Sequence, residues 1–281
     1  MFRSALLLSA ALLAAPALAQ GPAGEADAPI SERPGDFTIG LAVAYGPSYE
    51  GSDNYVIRPG GLLRADLGPV VLTTRGTYLY ADLLDSDAAD GGLDLEAGPI
   101  AGVRLNRVGG IEDRRVRRLG KLDPAIELGG FFGVGVKGLT NPYDRLGARV
   151  EVVGDVNGVH DSLVVTPSVE FQTPLSRTTF VGASLSADFV SDKYADAYFS
   201  VDAPGAARSG LPVFNADGGY KNWGANLIAA HSLTGDLRRG WALFGLANYK
   251  RLQNDFRRSP LVSIAGDPDQ WFGAVGVSYT F

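Results

Sequence analysis

Two histidines, His160 and His231, are the only imidazoles in a chain of 281 residues that has no cysteine. Activating a side-chain hydroxyl as a nucleophile needs a base within hydrogen-bond reach, so a hydrolytic site would have to use one of them. His160-Asp161-Ser162 sets the three residue types of such a site side by side, in a segment that reads as a turn. Sequence neighbours do not converge on one another, and a triad draws its members from separate elements. His231 falls near a strand end and reads as an interfacial or lumen histidine. No HExxH, paired-cysteine or glycine-rich phosphate pattern is present, so the common zinc and nucleotide chemistries lack their ligands. The residues point to no catalytic site, no cofactor-binding site and no metal site, and to a protein that is not an enzyme.

A second set of charged residues is more informative. Arg58, Arg64, Arg75, Arg104 and Arg149, with Glu96, Glu127, Glu151 and Glu170, occupy the polar phase of stretches that alternate with apolar residues. In the clearest stretch Leu93, Leu95, Ala97, Pro99, Ala101 and Val103 alternate with Asp94, Glu96, Gly98, Ile100, Gly102 and Arg104. A period of two is that of a β-strand. An unpaired charge in a dry core costs several kcal/mol, so a face carrying several charges is a wet one. In a membrane barrel the wet face is the lumen and the apolar face meets lipid. Two chemistries stay open for these candidate lumen charges. They line a small pore or ligand-binding channel, or they pair across a filled lumen and stabilise it.

The elements that would hold this array are legible at both ends of the alternating region. Trp271, Gly273, Val275, Val277, Tyr279 and Phe281 share one face of the closing stretch, and Phe272, Ala274, Gly276, Ser278 and Thr280 share the other. Aromatics at each end of a short apolar band mark two membrane interfaces. Phe37, Ile39, Leu41, Val43 and Tyr45 repeat the pattern at the start. The final Tyr-x-Phe resembles the carboxy-terminal signal that outer-membrane barrels present to the barrel assembly machinery, which makes Tyr279 and Phe281 candidate assembly determinants.

Between these strands, others are expected near residues 56–66, 70–80, 93–105, 125–136, 145–156, 163–171, 177–190, 220–230 and 241–250. Pro59 is awkward inside its strand and marks a bulge or a ladder position without a donor. Residues 70–80 are read as one strand with Val70, Leu72, Tyr78 and Tyr80 outward and Arg75 inward. A single-chain bacterial barrel has an even number of strands, and the long ones here come to an odd number. Promoting Ala197 to Val201 to a short strand brings the total to about twelve. Ser191 to Asp196 then becomes a periplasmic turn and Asp202 to Gly219 a long outer loop. The basic connection 107–122, with one or two turns of helix or a charged turn, falls on the periplasmic side. The fold class expected is all-β, a transmembrane up-and-down antiparallel β-barrel; a soluble periplasmic β-sandwich is the alternative, opposed by charges on nearly every inward face.

Ahead of the strands, Arg3, the apolar run Ala5 to Ala15 and the small-x-small Ala17-Leu18-Ala19 form a signal-peptide pattern, with cleavage expected after Ala19. The domain reading is a signal peptide over 1–19, a flexible periplasmic lead-in over 20–35 and the barrel over 36–281. Without cysteines no disulfide framework is available. Glycine at 37 residues is abundant. A net charge of −6 with scattered arginines offers no basic stripe for nucleic acid.

Several stretches, in order and spacing, resemble the MipA/OmpV family of MltA-interacting outer-membrane proteins. They are Gly46-Pro-Ser-Tyr-Glu-Gly-Ser-Asp-Asn-Tyr55 followed by Pro59, Asn157-Gly-Val-His-Asp161, Ser191-Asp-Lys-Tyr-Ala-Asp-Ala-Tyr-Phe-Ser-Val201, Ser209-Gly-Leu-Pro212, Ser259-Pro-Leu-Val262 and Tyr279-Thr-Phe281. Ser162 stands where a glycine would follow the His-Asp turn. The resemblance implies a barrel in contact with outer-membrane lipid. It implies a non-enzymatic scaffold that links a murein lytic transglycosylase to a peptidoglycan synthase, with no catalytic residues to carry over. A small pore or a ligand-binding or adhesion barrel is the alternative.

Overall fold

The computed structural model describes residues 36–84 and 93–281. The expectations for 1–19 and 20–35 lie outside the described residues. Twelve strands close into one antiparallel barrel: β1 (Phe37–Pro47), β2 (Tyr55–Asp66), β3 (Val71–Arg75), β4 (Tyr78–Asp82), β5 (Leu93–Arg104), β6 (Ala125–Lys137), β7 (Arg145–Asp155), β8 (Leu163–Pro174), β9 (Thr179–Val190), β10 (Gly219–Ser232), β11 (Gly240–Leu252) and β12 (Asp269–Thr280). Each pairs with its chain neighbours, and β1 pairs with β12 from Thr38↔Thr280 to Tyr45↔Gly273.

Among the described residues five short helices sit in the connections: α1 (Arg114–Leu119), α2 (Asp192–Phe199), α3 (Ala203–Ser209), α4 (Asn254–Arg258) and α5 (Pro260–Ser263). Strand order places all of them at the end opposite the one where β1 starts and β12 finishes. In barrels of this kind short turns face the periplasm and longer loops the exterior, so the helices stand at an outer, loop end and the tight connections at a turn end.

The strand total of twelve is as expected, but its twelfth member lies elsewhere. Residues 70–80 do not form one strand. Gly76, at a φ of 56°, turns the chain back, and β3 and β4 form a hairpin with Arg75↔Tyr78 and Thr73↔Tyr80 as partners. Directly opposed residues share a face, so Tyr78 and Tyr80 point inward beside Arg75 and are buried, not outward. Residues 192–199, by contrast, are helical rather than a periplasmic turn and a strand. Asp192 supplies the negative charge a helix N-terminus favours, and Asp202 caps the next helix by accepting from the Gly205 N–H at 2.7 Å. Val201 makes only an isolated bridge to Phe214.

Moving the extra strand upstream reverses the direction of every strand between. The basic 107–122 connection, between β5 and β6, therefore lies at the loop end and not on the periplasmic side. It contains the short basic helix α1, capped by Asp113 through the Arg115 and Val116 N–H groups.

The outward face is apolar. Ile39, Leu41, Val43, Ile57, Leu227, Leu243, Val275 and Val277 are all exposed, Leu41 and Ile57 at 72%. Ring contacts gather at two levels: Tyr45–Tyr55, Trp223–Tyr249 and Tyr249–Trp271 near the loop end, and Phe37–Phe281, Tyr279–Phe281 and Trp241–Tyr279 near the turn end. An apolar band between two aromatic girdles is the surface a bilayer requires.

Candidate functional site

The inward side chains of β3 to β8 build a charged wall. Nearest the turn end, Arg145 bonds to both Asp94 and Glu170 and lies 3.4 Å from Glu96. One level up, Arg149 Nε donates to Glu96 at 2.8 Å, and Arg149 and Arg75 approach Glu151 at 3.7 and 3.6 Å. The Tyr80 hydroxyl donates to Glu151 at 2.9 Å. At the third level Arg104 grips Glu127 with Nε at 2.6 Å and a second nitrogen at 2.9 Å. Tyr78 donates to the same carboxylate at 2.6 Å, and His160 Nε2 stands 2.8 Å from it. Bidentate charge-assisted contacts of this kind are the strong class of hydrogen bond.

Glycines make room for these long side chains. A Cβ at Gly133 would lie 2.1 Å from the Glu96 carboxylate, and one at Gly147 would lie 2.5 Å from the Arg145 guanidinium. Alternation thus does two things at once, aiming the charges inward and leaving bare backbone for them to lie across.

Above the third level the mouth is filled. Tyr194, Tyr198 and Phe199 of α2 are buried in one cluster with Tyr78, Ile100, Val153, Val164, Val190 and Leu252 from the strand ends and Phe256 of α4. The Phe199 and Phe256 rings meet edge to face at 5.0 Å. His160 packs against Tyr194 and Tyr198 at 5.1 and 5.6 Å. Glu50, in the β1–β2 loop, ties this plug to the wall by accepting from Tyr194 at 3.0 Å and pairing with Lys221 at 2.8 Å. Lys221 and Lys250 approach Asp188 at 3.4 and 3.7 Å. Burial by itself would raise the Glu50 carboxyl, but Lys221, Lys250 and Arg104 together outweigh it and hold the group below the usual carboxylate range. Burial pushes the Tyr198 phenol up.

The opposite wall, from β10 through β12 to β1 and β2, is of another kind. Cross-strand neighbours give rows of small or apolar side chains: Gly40, Ser278 and Ala242; Ala42, Gly276 and Phe244; Ala44, Ala274 and Leu246. Below Lys221 and Lys250 at its loop end, its polar contacts are neutral, with Asn248 donating to Asn226, Asn226 to Ser184 at 3.1 Å, and the Thr38 and Thr280 hydroxyls 2.8 Å apart.

The nine candidate charges divide accordingly. Arg75, Arg104, Arg149, Glu96, Glu127, Glu151 and Glu170 join the charged wall, whereas Arg58 and Arg64 stand apart on β2. Sequence reasoning passed over Tyr78, Tyr80, Asp188, Lys221 and Glu50 as members of the array; the Gly76-Thr77 pair was the one local signal for the first two. His160, Asp161 and Ser162 reach three separate partners, Glu127, Lys193 and Ser191, so they do not form a catalytic unit. His231 faces outward at the turn end and meets the Thr179 hydroxyl at 2.9 Å.

A closed antiparallel barrel with an exposed apolar band, two aromatic girdles and an ionised interior defines a β-barrel protein of the bacterial outer membrane. The chain belongs to the MltA-interacting protein MipA family, whose model matches residues 39–281. No curated protein matches the chain. Among solved structures it is similar to the NanC porin, at 10% identity over 85% of this chain and 98% of that one, with a TM-score of 0.46. It is also similar to the COG4313 outer membrane channel from Pseudomonas putida F1, at 13% identity over 92% and 100% of the two chains, with a TM-score of 0.43. These likenesses concern the fold alone.

Proposed function

We propose that the protein is a non-enzymatic outer-membrane scaffold that holds a murein lytic transglycosylase, together with a peptidoglycan synthase, against the inner face of the membrane. Membership of a family named for its interaction with MltA, along residues 39–281, carries this reading. The filled loop-end mouth supports it, since a barrel whose lumen is closed by α2 gains stability from its interior and not a pathway. With the basic 107–122 connection at the loop end, the surface left for a periplasmic partner is the turn end. Cross-linking intact envelopes and purifying the full chain tests the proposal. Recovery of a lytic transglycosylase, undiminished when Arg114 and Arg118 of α1 are changed to alanine, is the expected result; no murein enzyme among the cross-linked species overturns it.

The second reading is a small pore or a ligand-binding or adhesion barrel, and the column of lumen charges is what favours it. Stepwise conductance of the purified protein in planar bilayers would support it over the scaffold. For insertion, we propose Tyr279 and Phe281 as the contact with the barrel assembly machinery. Deleting Phe281 should leave protein that no longer shows heat-modifiable mobility in outer-membrane fractions, and unimpaired insertion would count against that role.

A further inference from the structure

The barrel wall is not equally paired all the way round. β3 and β4 are five residues each, about half the length a membrane strand needs. β2 pairs with β1 along its whole length, from Phe37↔Ala65 to Pro47↔Tyr55, but its register with β3 stops at Arg64↔Thr73. Just beyond, the Thr74 hydroxyl replaces the ladder by accepting from the Leu63 N–H at 2.8 Å. Strand alternation puts Gly61, Pro59 and Ile57 on that same edge. They lie opposite Leu41, Val43 and Tyr45 of β1, and so run from between the girdles up to the loop-end one. On the other side of the hairpin β5 stays joined to it, through Tyr78↔Gly102 to Tyr80↔Ile100 and the Val103 and Ala97 backbone bonds. Pro59 withdraws a backbone donor from the seam, where no water would satisfy it.

The space behind the seam is shared with the neutral wall. The inward residues Arg58, Gly60 and Leu62 are part-exposed, as are Phe244, Leu246, Ala274 and Gly276 of β11 and β12, whereas Thr166, Glu151 and Asn248 are buried. Leu62 and Gly60 continue the apolar rows of β1, β12 and β11, through Gly40 and Ala42. Arg58 stands at the level of the loop-end girdle, since Ile57 is opposite Tyr45. Its guanidinium donates to the Pro47 and Ser48 carbonyls, both at 3.1 Å, and among the described residues it has no carboxylate partner. The group is held in place, keeps unused donors, and its charge is uncompensated.

We propose that this seam admits a single-chain amphiphile with an anionic head, carboxylate or phosphate, from the outer leaflet into the lumen. The head pairs with Arg58, and the acyl chain lies over Gly60, Leu62, Ala42 and Phe244. A lipid sliding in sideways keeps its orientation, head at girdle level and chain toward the midplane, so no charge crosses the hydrocarbon. The apolar wall then has an occupant that the charged wall could not hold.

Isothermal titration of the full chain in neutral maltoside micelles tests this with palmitate, lysophosphatidate and monopalmitoylglycerol, which differ in head group. The anionic ligands should bind at least about tenfold more tightly than the glycerol ester, the effect of one charge-assisted hydrogen bond. Arg58→Gln should erase that difference and Arg58→Lys restore part of it, while Arg64→Gln, at the far end of the strand, should keep it. Gly60→Leu, whose Cβ would make an ordinary van der Waals contact with Ala42 at 3.7 Å, should weaken both anionic ligands. Preference for palmitate alone identifies a fatty acid as the source, and preference for lysophosphatidate alone a phospholipid; either supports the site. Equal binding of the neutral ester, or anionic binding unchanged in heat-modifiable, folded Arg58→Gln protein, overturns it.

Discussion

The two walls of the lumen are made from the same strand geometry and solve opposite problems. From β5 to β8 the inward positions carry carboxylates and guanidinium groups in contact, one level above another. From β10 to β1, below Lys221 and Lys250 at the loop end, the same inward positions carry Gly, Ala, Ser, Thr and Asn with a few apolar rings. A buried carboxylate needs several donors at once, so the charged wall is a network in which each member depends on its neighbours. The neutral wall is a set of nearly independent contacts. The barrel is therefore stiff on one side and adaptable on the other, and its short hairpin lies between the two at β3 and β4.

Removing Glu127 should break this contrast most severely. Glu127→Leu strands Arg104, and unpairing a buried charge costs about 3–5 kcal/mol, to be read as a lower urea midpoint for the barrel in lipid vesicles. A change under about 1 kcal/mol would mean that the wall is wetter than its geometry implies. On the other wall Gly276→Leu should act by crowding, since its Cβ would lie 2.3 Å from the Leu41 carbonyl and 2.5 Å from the Phe244 ring. Overpacking of this kind costs about 1–3 kcal/mol. Asn248→Ala should lose only about 1 kcal/mol, that of one neutral hydrogen bond; a loss equal to that of Glu127→Leu would erase the distinction between the walls.

The smallest effect expected is local and depends on pH. Glu50 titrates below the usual range in the folded protein. Its contribution is therefore complete above the unfolded value of about 4.3 and is lost as pH falls through the lower folded value. Hydrogen-exchange protection of residues 192–199 should hold at neutral pH and decline under acid before the strands lose theirs. Protection of α2 that is flat or rising on acidification would separate the plug from Glu50.

Alternation made much of this legible from sequence. It placed Glu96 and Arg104 on one face of β5, Arg149 and Glu151 on one face of β7, and the outward bands of β1 and β12. It could not reveal which charges meet, because Glu127 and His160 are 33 positions apart and join only through barrel curvature and the loop above. The hairpin at Gly76-Thr77 escaped notice because an even run of alternating residues looks the same whether the chain goes on or doubles back. That one turn misplaced the extra strand, reversed the expected side of 107–122 and turned Tyr78 and Tyr80 the wrong way. The plug was missed for a different reason: Tyr194, Tyr198 and Phe199 lie at helical spacing, but in too short a stretch to stand out from a polar loop.

The pairing of β1 with β12 has a consequence in time. The Thr38 and Thr280 hydroxyls that meet across it are 242 positions apart, nearly the full span of the barrel. Contacts of such separation form slowly, because the intervening chain must be brought into order first. β1 emerges early in synthesis, with a bare edge, and its second neighbour is the last strand to be made. For that whole interval the molecule is open to pairing with the wrong strand or the wrong chain. Its survival before insertion therefore depends on being kept extended and occupied, and a shortage of holding chaperones should reduce its yield more than that of a protein whose edges close locally.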